Sequence, residues 1–170
     1  RYYTKAMDML SNEATSSTQS FEVLVPETFS LKKGWNLISV PYEAFNFATS
    51  SCESGRNFFN YNSTTKTWDI VKKVQNLEGG KGYWAYSGRV CEIKIIGLDD
   101  TAPADIQLVN GWNHIGAPKS PSNFNSIKCS GGSIDIILYY DTSINNWRKL
   151  NPGADNLESY KGYFIKAACP

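Results

Sequence analysis

A chain of 170 residues with 17 basic and 16 acidic side chains carries a net charge of +1 at neutral pH. That balance supplies no overall field to recruit nucleic acid, an anionic membrane or an acidic substrate. Charged residues make up only 19% and aromatic residues 14%, which excludes a disordered chain. No apolar run approaches the ~18 residues of a bilayer-spanning helix, so no membrane contact is expected from the residues present. The length suits one medium domain or two small ones, with a real core. The chain opens at Arg1 without Met or a signal peptide, as expected of a trimmed product.

In chain order, residues 1–14 read as a short amphipathic α-helix. Tyr3, Met7 and Leu10 lie on one stripe, with Tyr2, Ala6 and Met9 beside it. The Thr/Ser-rich run after Ala14 should end it. Phe21–Val25 reads as a strand stopped by Pro26. Trp35–Val40 is an apolar run between Gly34 and Pro41, a buried strand by pattern. Phe58–Tyr61 and Thr67–Val71 flank a polar loop as a hairpin. Gly82–Tyr86 and Glu92–Ile96 are further strands. Asp99–Asp105, acidic and containing Pro103, reads as an exposed linker. Ile134–Tyr140 and Asn146–Leu150 form a second hairpin, and Tyr163–Ala168 the last strand.

These elements repeat. Residues 34–41 (GWNLISVP) and 111–118 (GWNHIGAP) agree at five of eight positions, 77 residues apart. Tyr61 precedes Trp68 by seven residues, as Tyr140 precedes Trp147. Leu77-Glu78-Gly79-Gly80-Lys81-Gly82-Tyr83-Trp84 has its partner in Leu157-Glu158-Ser159-Tyr160-Lys161-Gly162-Tyr163-Phe164. Cys52 and Cys91 match Cys129 and Cys169. A duplicated two-cysteine unit most simply carries its own bridge, which gives Cys52–Cys91 and Cys129–Cys169. The alternatives are a pairing that links the halves (Cys52–Cys129 with Cys91–Cys169) or four free thiols in a reducing compartment. The domain division that follows is 1–29 for the helix and lead-in strand, 30–98 for the first unit, 99–105 for the linker and 106–170 for the second unit. The fold class is mainly β: two tandem small β-sandwich or barrel-like units after a short N-terminal α-helix.

The repeated pattern of Gly34-Trp35-Asn36-Leu37-Ile38-Ser39 with Pro41, then Lys81-Gly82-Tyr83-Trp84, resembles the GWNLIS…P…GKGYW module of exported archaeal and bacterial surface proteins. The second copy departs from it at His114, Gly116 and Phe164. The resemblance implies export and a modular, non-enzymatic role, and it carries over no catalytic residue. The overall layout, a short helix feeding a disulfide-bonded β head that ends near a cysteine, is similar to the type IV pilin plan.

No constellation for catalysis stands out. His114 is the single histidine, without ligands at metal spacing, and reads as structural. No Gly-x-Ser-x-Gly elbow is present. Asp99, Asp100 and Asp105 lack the spacing of a calcium loop. Lys81 and Lys161 sit in turns before strands. No metal or other cofactor is expected. Trp35 and Trp112 read as core. Trp68 and Trp147, beside polar hairpin loops, are the candidate surface aromatics for a glycan, with Asn36 and Asn113 as possible donors. Asn62, in Asn62-Ser63-Thr64, is a glycosylation acceptor by sequence. The function expected is a non-catalytic structural or adhesive module, extracellular or at the cell surface, in the manner of the globular head of a pilin-like filament subunit. Its partners would be other copies of itself or surface proteins. The alternative is a carbohydrate-binding module of a secreted hydrolase, with polysaccharide as partner.

Overall fold

A computed structural model describes residues 5–7, 13–15, 24–40, 45–52, 57–98, 105–117, 124–152 and 154–170. The described residues are mainly β, in several antiparallel sheets and one parallel pair. The N-terminal helix is corrected. β1 (Lys5–Met7) and β2 (Glu13–Thr15) pair antiparallel, Lys5 opposite Thr15 and Met7 opposite Glu13. A helix of this length is marginal in water unless its stripe packs on something, and pairing satisfies the same backbone groups. Residues 1–4 and 8–12 of that expected helix lie outside the described residues.

The next sheet contains β3 (Leu24–Leu31) and β5 (Phe45–Ser50), one on each side of β9 (Cys91–Leu98). Pro26 does not stop β3 but lies within it, opposite Ile96. β3 is an edge strand, and an edge tolerates a residue without an N–H. A four-stranded antiparallel sheet follows, built from β4 (Gly34–Ser39), β6 (Phe58–Asn62), β7 (Thr67–Val71) and β8 (Gly82–Ser87), in the order β4-β8-β6-β7.

The C-terminal part holds a parallel pair, β10 (Ile106–Gln107) with β12 (Ile127–Lys128). Its larger sheet consists of β11 (Gly111–Gly116), β13 (Ser133–Asp141), β14 (Asn146–Leu150) and β15 (Gly162–Ala168), in the order β11-β15-β13-β14. Matching sequence landmarks sit at matching registers in the two larger sheets. Leu37 faces Trp84 as His114 faces Phe164, and Tyr61 faces Trp68 as Tyr140 faces Trp147. The smaller layers differ. β3 and β5 both run antiparallel to β9 and are held apart by it, whereas β10 and β12 bond to each other directly.

Each larger sheet has its own core. One cluster contains Phe29, Leu31, Ile38, Val40, Phe58, Leu77, Tyr83, Ile93 and Ile95. The other contains Ile106, Leu108, Ile115, Ile137, Leu157, Tyr163 and Ile165. Cys52 is bonded to Cys91 and Cys129 to Cys169, with Cα atoms 5.1 and 5.4 Å apart, and all but Cys129 are buried members of their clusters. Two disulfides imply a non-reducing setting. No helix among the described residues is long and apolar enough to cross a membrane.

Candidate functional site

The site begins with the Gly-Trp-Asn turns. Gly34 and Gly111 open their strands at φ 104° and 98°, a region that L side chains rarely adopt. Asn36 then turns inward and clamps the turn. Its Oδ1 accepts the Lys32 N–H at 2.9 Å, and its Nδ2 donates to the carbonyls of Lys32 (2.9 Å) and Gly34 (3.0 Å). Asn113 repeats this on Val109 (2.9 and 2.8 Å) and Gly111 (3.0 Å). Both amides are buried, so they hold the backbone and are not free to donate to a glycan. Strand alternation therefore sends the preceding Trp to the opposite face. Trp35 and Trp112 are 44% and 38% exposed, which overturns their expected place in the core. With half of each indole in water, Trp35→Ala and Trp112→Ala should lower stability by only about 1–2 kcal/mol, below the ~3–5 kcal/mol of a buried Trp. Thermal melts of the two variants check this.

The Lys-Gly-Tyr turns join the sheets. Glu78 pairs with Lys81 at 2.6 Å and Glu158 with Lys161 at 2.7 Å. The N–H groups of Glu78 and Glu158 donate to the hydroxyls of buried Tyr83 (2.9 Å) and Tyr163 (2.7 Å). Burial pushes the Tyr83 hydroxyl up to about 12, and that of Tyr163 rises for the same reason. Each turn bonds to the other sheet. The Ser39 N–H donates to the Tyr160 carbonyl at 2.9 Å, and the Gly116 N–H to the Gly80 carbonyl at 2.8 Å. Ile38 bridges Lys161 as Ile115 bridges Lys81. The contact is reciprocal, like an isologous dimer interface within one chain. Gly80 and Tyr160 share a left-handed conformation (φ 75° and 63°). Tyr160 offsets its strain by stacking on Phe29 of the first core, centroids 5.3 Å apart.

Between the two sheets their aromatic faces meet. Trp84 lies edge-on to Trp147 (5.6 Å) and to Tyr140 (5.0 Å), and Phe164 contacts Trp68 (6.2 Å) and Tyr61 (6.4 Å). The packing leaves two clefts. One, about 370 Å³, is lined by Trp35, Phe59, Trp68, Trp84 and Tyr140. The other, about 420 Å³, is lined by Tyr61, Trp68, Trp84, Trp112, Leu138, Trp147 and Phe164. Both fall in the size range of ligand sites, which aromatic walls also characterise. Trp68 (50% exposed) and Trp147 (41%) sit at this junction, together with Trp35 and Trp112. The outward face of those two was not legible because Trp-Asn-Leu-Ile-Ser and Trp-Asn-His-Ile-Gly show no clean alternation of apolar and polar residues.

Asn62 is a hairpin-turn residue. Its Oδ1 accepts the N–H groups of Thr64 (3.1 Å) and Thr65 (3.2 Å), and its Nδ2 reaches Asp69 at 3.4 Å. Asp141 holds the corresponding turn through Ser143, and the Ser143 hydroxyl and N–H keep its carboxyl below the usual range. Lys81 and Lys161 are engaged in their ion pairs. Asp105 pairs with Lys128 at 3.8 Å, while Asp99 and Asp100 lie outside the described residues. No group of three or more metal-ligating side chains occurs among the described residues.

His114 is buried at the junction. Its Nδ1 accepts the Tyr61 N–H at 3.1 Å, and its ring stacks on Phe164 at 4.3 Å. Nδ1 as acceptor places the ring hydrogen on Nε2, which has no partner among the described residues. Burial lowers the pKa from 6.5 to about 3. The unfolded chain then takes up a proton below pH 6.5 that the folded chain refuses until about pH 3. Stability should fall as pH drops through that window, by about 2 kcal/mol at pH 5. His114→Leu, which copies Leu37, should remove this part of the slope in urea melts at pH 7.5 and 5. An unchanged slope would contradict the assignment.

Comparison with protein families, with curated proteins and with solved structures found no match.

Proposed function

We propose that this chain is a non-catalytic extracellular module, made of two copies of one small β-sandwich-like unit, that works by contact. Its role would be structural or adhesive, as in the head of a pilin-like filament subunit. The observation that carries the reading is the junction of the two larger sheets, where four half-exposed tryptophans, Trp35, Trp68, Trp112 and Trp147, border two clefts. Exposed aromatic side chains gathered at one place, rather than scattered singly, fit an interaction site, and Trp is enriched where contacts carry binding energy. The disulfides support the extracellular assignment.

Sedimentation velocity tests the adhesive reading. The chain should self-associate as concentration rises, and Trp68→Ala with Trp147→Ala should abolish association while the chain still melts as a folded protein. A chain that stays monomeric at millimolar concentration contradicts self-contact. The exposure of Trp35 and Trp112 favours a second reading, a carbohydrate-binding module of a secreted hydrolase. That reading expects a monomer held on polysaccharide.

A further inference from the structure

The two clefts are built alike but charged differently. In an antiparallel sheet, directly opposed residues share a face, with Cβ atoms ~5 Å apart. Beside the first cleft, Tyr86 is opposite Trp35 and Ile70 is opposite Phe59. Beside the second, the same two positions hold Lys166, opposite Trp112, and Lys149, opposite Leu138. Both lysines are exposed, and neither has an ion-pair partner among the described residues. The other lysines at this junction, Lys81 and Lys161, are neutralised by Glu78 and Glu158. A net charge of +1 for the whole chain conceals this local cationic margin.

We propose that the second cleft binds an acidic polysaccharide, with sugar rings against Trp112 and Trp147 and sugar carboxylates at Lys149 and Lys166. The proposal rests on the second reading, the carbohydrate-binding module, and adds the charge class of its polysaccharide. A pyranose ring has an apolar C–H face that suits an indole, and a uronate adds a carboxylate at the ring's edge. Aromatic wall and cationic margin together match both features, whereas the first cleft, with Ile70 and Tyr86, offers only the first. The charge contribution is that of exposed ion pairs and is screened by salt, so binding should weaken as salt rises.

Affinity electrophoresis of the full chain in gels containing polygalacturonate, alginate or hyaluronate tests this, with fully methyl-esterified polygalacturonate as the uncharged counterpart. At least one acidic polymer should retard the chain, and esterification should reduce retardation of the chain by polygalacturonate if that polymer binds. Lys149→Gln with Lys166→Gln should weaken binding about tenfold, and Trp112→Ala by a similar factor. Lys72→Gln with Lys73→Gln, the same change of charge on exposed lysines that line neither cleft, should leave binding intact. The proposal is overturned if none of the three acidic polymers retards the chain, if the ester binds as well as the acid, or if the Lys72 and Lys73 variant loses as much as the Lys149 and Lys166 variant. Retardation by the ester equal to that by the acid would leave the carbohydrate-binding reading standing without an acidic glycan as partner.

Discussion

Replacing Cys129 and Cys169 by Ser should destabilise the C-terminal half by about 4 kcal/mol, and replacing Cys52 and Cys91 should cost the N-terminal half a similar amount. The bridges close loops with sequence separations of 40 and 39 residues. In the chain-entropy picture, loops of that size fall between the ~3 kcal/mol of a short loop and the ~4.7 kcal/mol of a hundred-residue one. The consequences should differ. In the N-terminal half, β9 is paired along its length with β3 and contacts β5, so the layer around Cys91 has a ladder of its own. In the C-terminal half, the smaller layer is the β10–β12 pair, two residues per strand. Cys129 follows it directly and ties it to Cys169 at the end of β15. A unit of about 65 residues has a small core, and ~4 kcal/mol is a large part of such a unit's stability. Two melting transitions are therefore expected in the Cys129 and Cys169 variant, with the C-terminal half unfolding first. Melting within ~2 °C of the parent chain would show that packing alone holds this half together.

What could be read in the sequence depended on whether the determining forces were local. The hairpins at Asn62 and Asp141 were legible, because polar turn residues between β-rich runs define them without outside help. The cysteine pairs followed from the repeated order of the landmarks. Trp35 and Trp112 were misplaced because alternation in Trp-Asn-Leu-Ile and Trp-Asn-His-Ile sends either the Trp or the Asn to solvent, and residue type alone favours the Asn. The residue that turns inward is the Asn, satisfied by a backbone clamp that only the folded turn supplies. β5 had no strand signature, and its pairing with β9, from Ser50 opposite Ile93 to Phe45 opposite Gly97, is a long-range effect. The asymmetry of the clefts was written in the sequence as Tyr86 against Lys166 and Ile70 against Lys149. It acquired meaning only when the register placed those residues beside the tryptophans.

Gly82→Ala should separate the two halves, and Gly162→Ala should do so less completely. Both glycines sit where one sheet touches the other. A Cβ at Gly82 would lie 2.5 Å from Cδ2 of His114 and 2.6 Å from the Ile115 carbonyl oxygen. At Gly162 it would lie 2.8 Å from the Ile38 carbonyl oxygen and 3.0 Å from Cγ of Leu37. A carbonyl in a paired strand cannot retreat without breaking its ladder, and the His114 ring is pinned between Phe164 and the Tyr61 N–H. Overpacking typically costs ~1–3 kcal/mol and more where backbone must move, which puts Gly82→Ala at about 4 kcal/mol. Gly162→Ala should cost less, about 3 kcal/mol, since the Ile38 carbonyl stands slightly farther off at 2.8 Å and the Leu37 side chain has rotamers to yield into. The strain can be relieved by opening the interface, because each half has its own core and disulfide. Opening would expose Trp68, Trp84 and Trp147, so Gly82→Ala should red-shift tryptophan emission and enlarge the radius of gyration while the far-UV spectrum stays that of a β protein. It should also release His114, whose pKa would return toward 6.5, flattening the loss of stability between pH 7.5 and 5. A Gly82→Ala chain with the parent's emission, radius and melting temperature would mean that the two sheets are not held together through this contact.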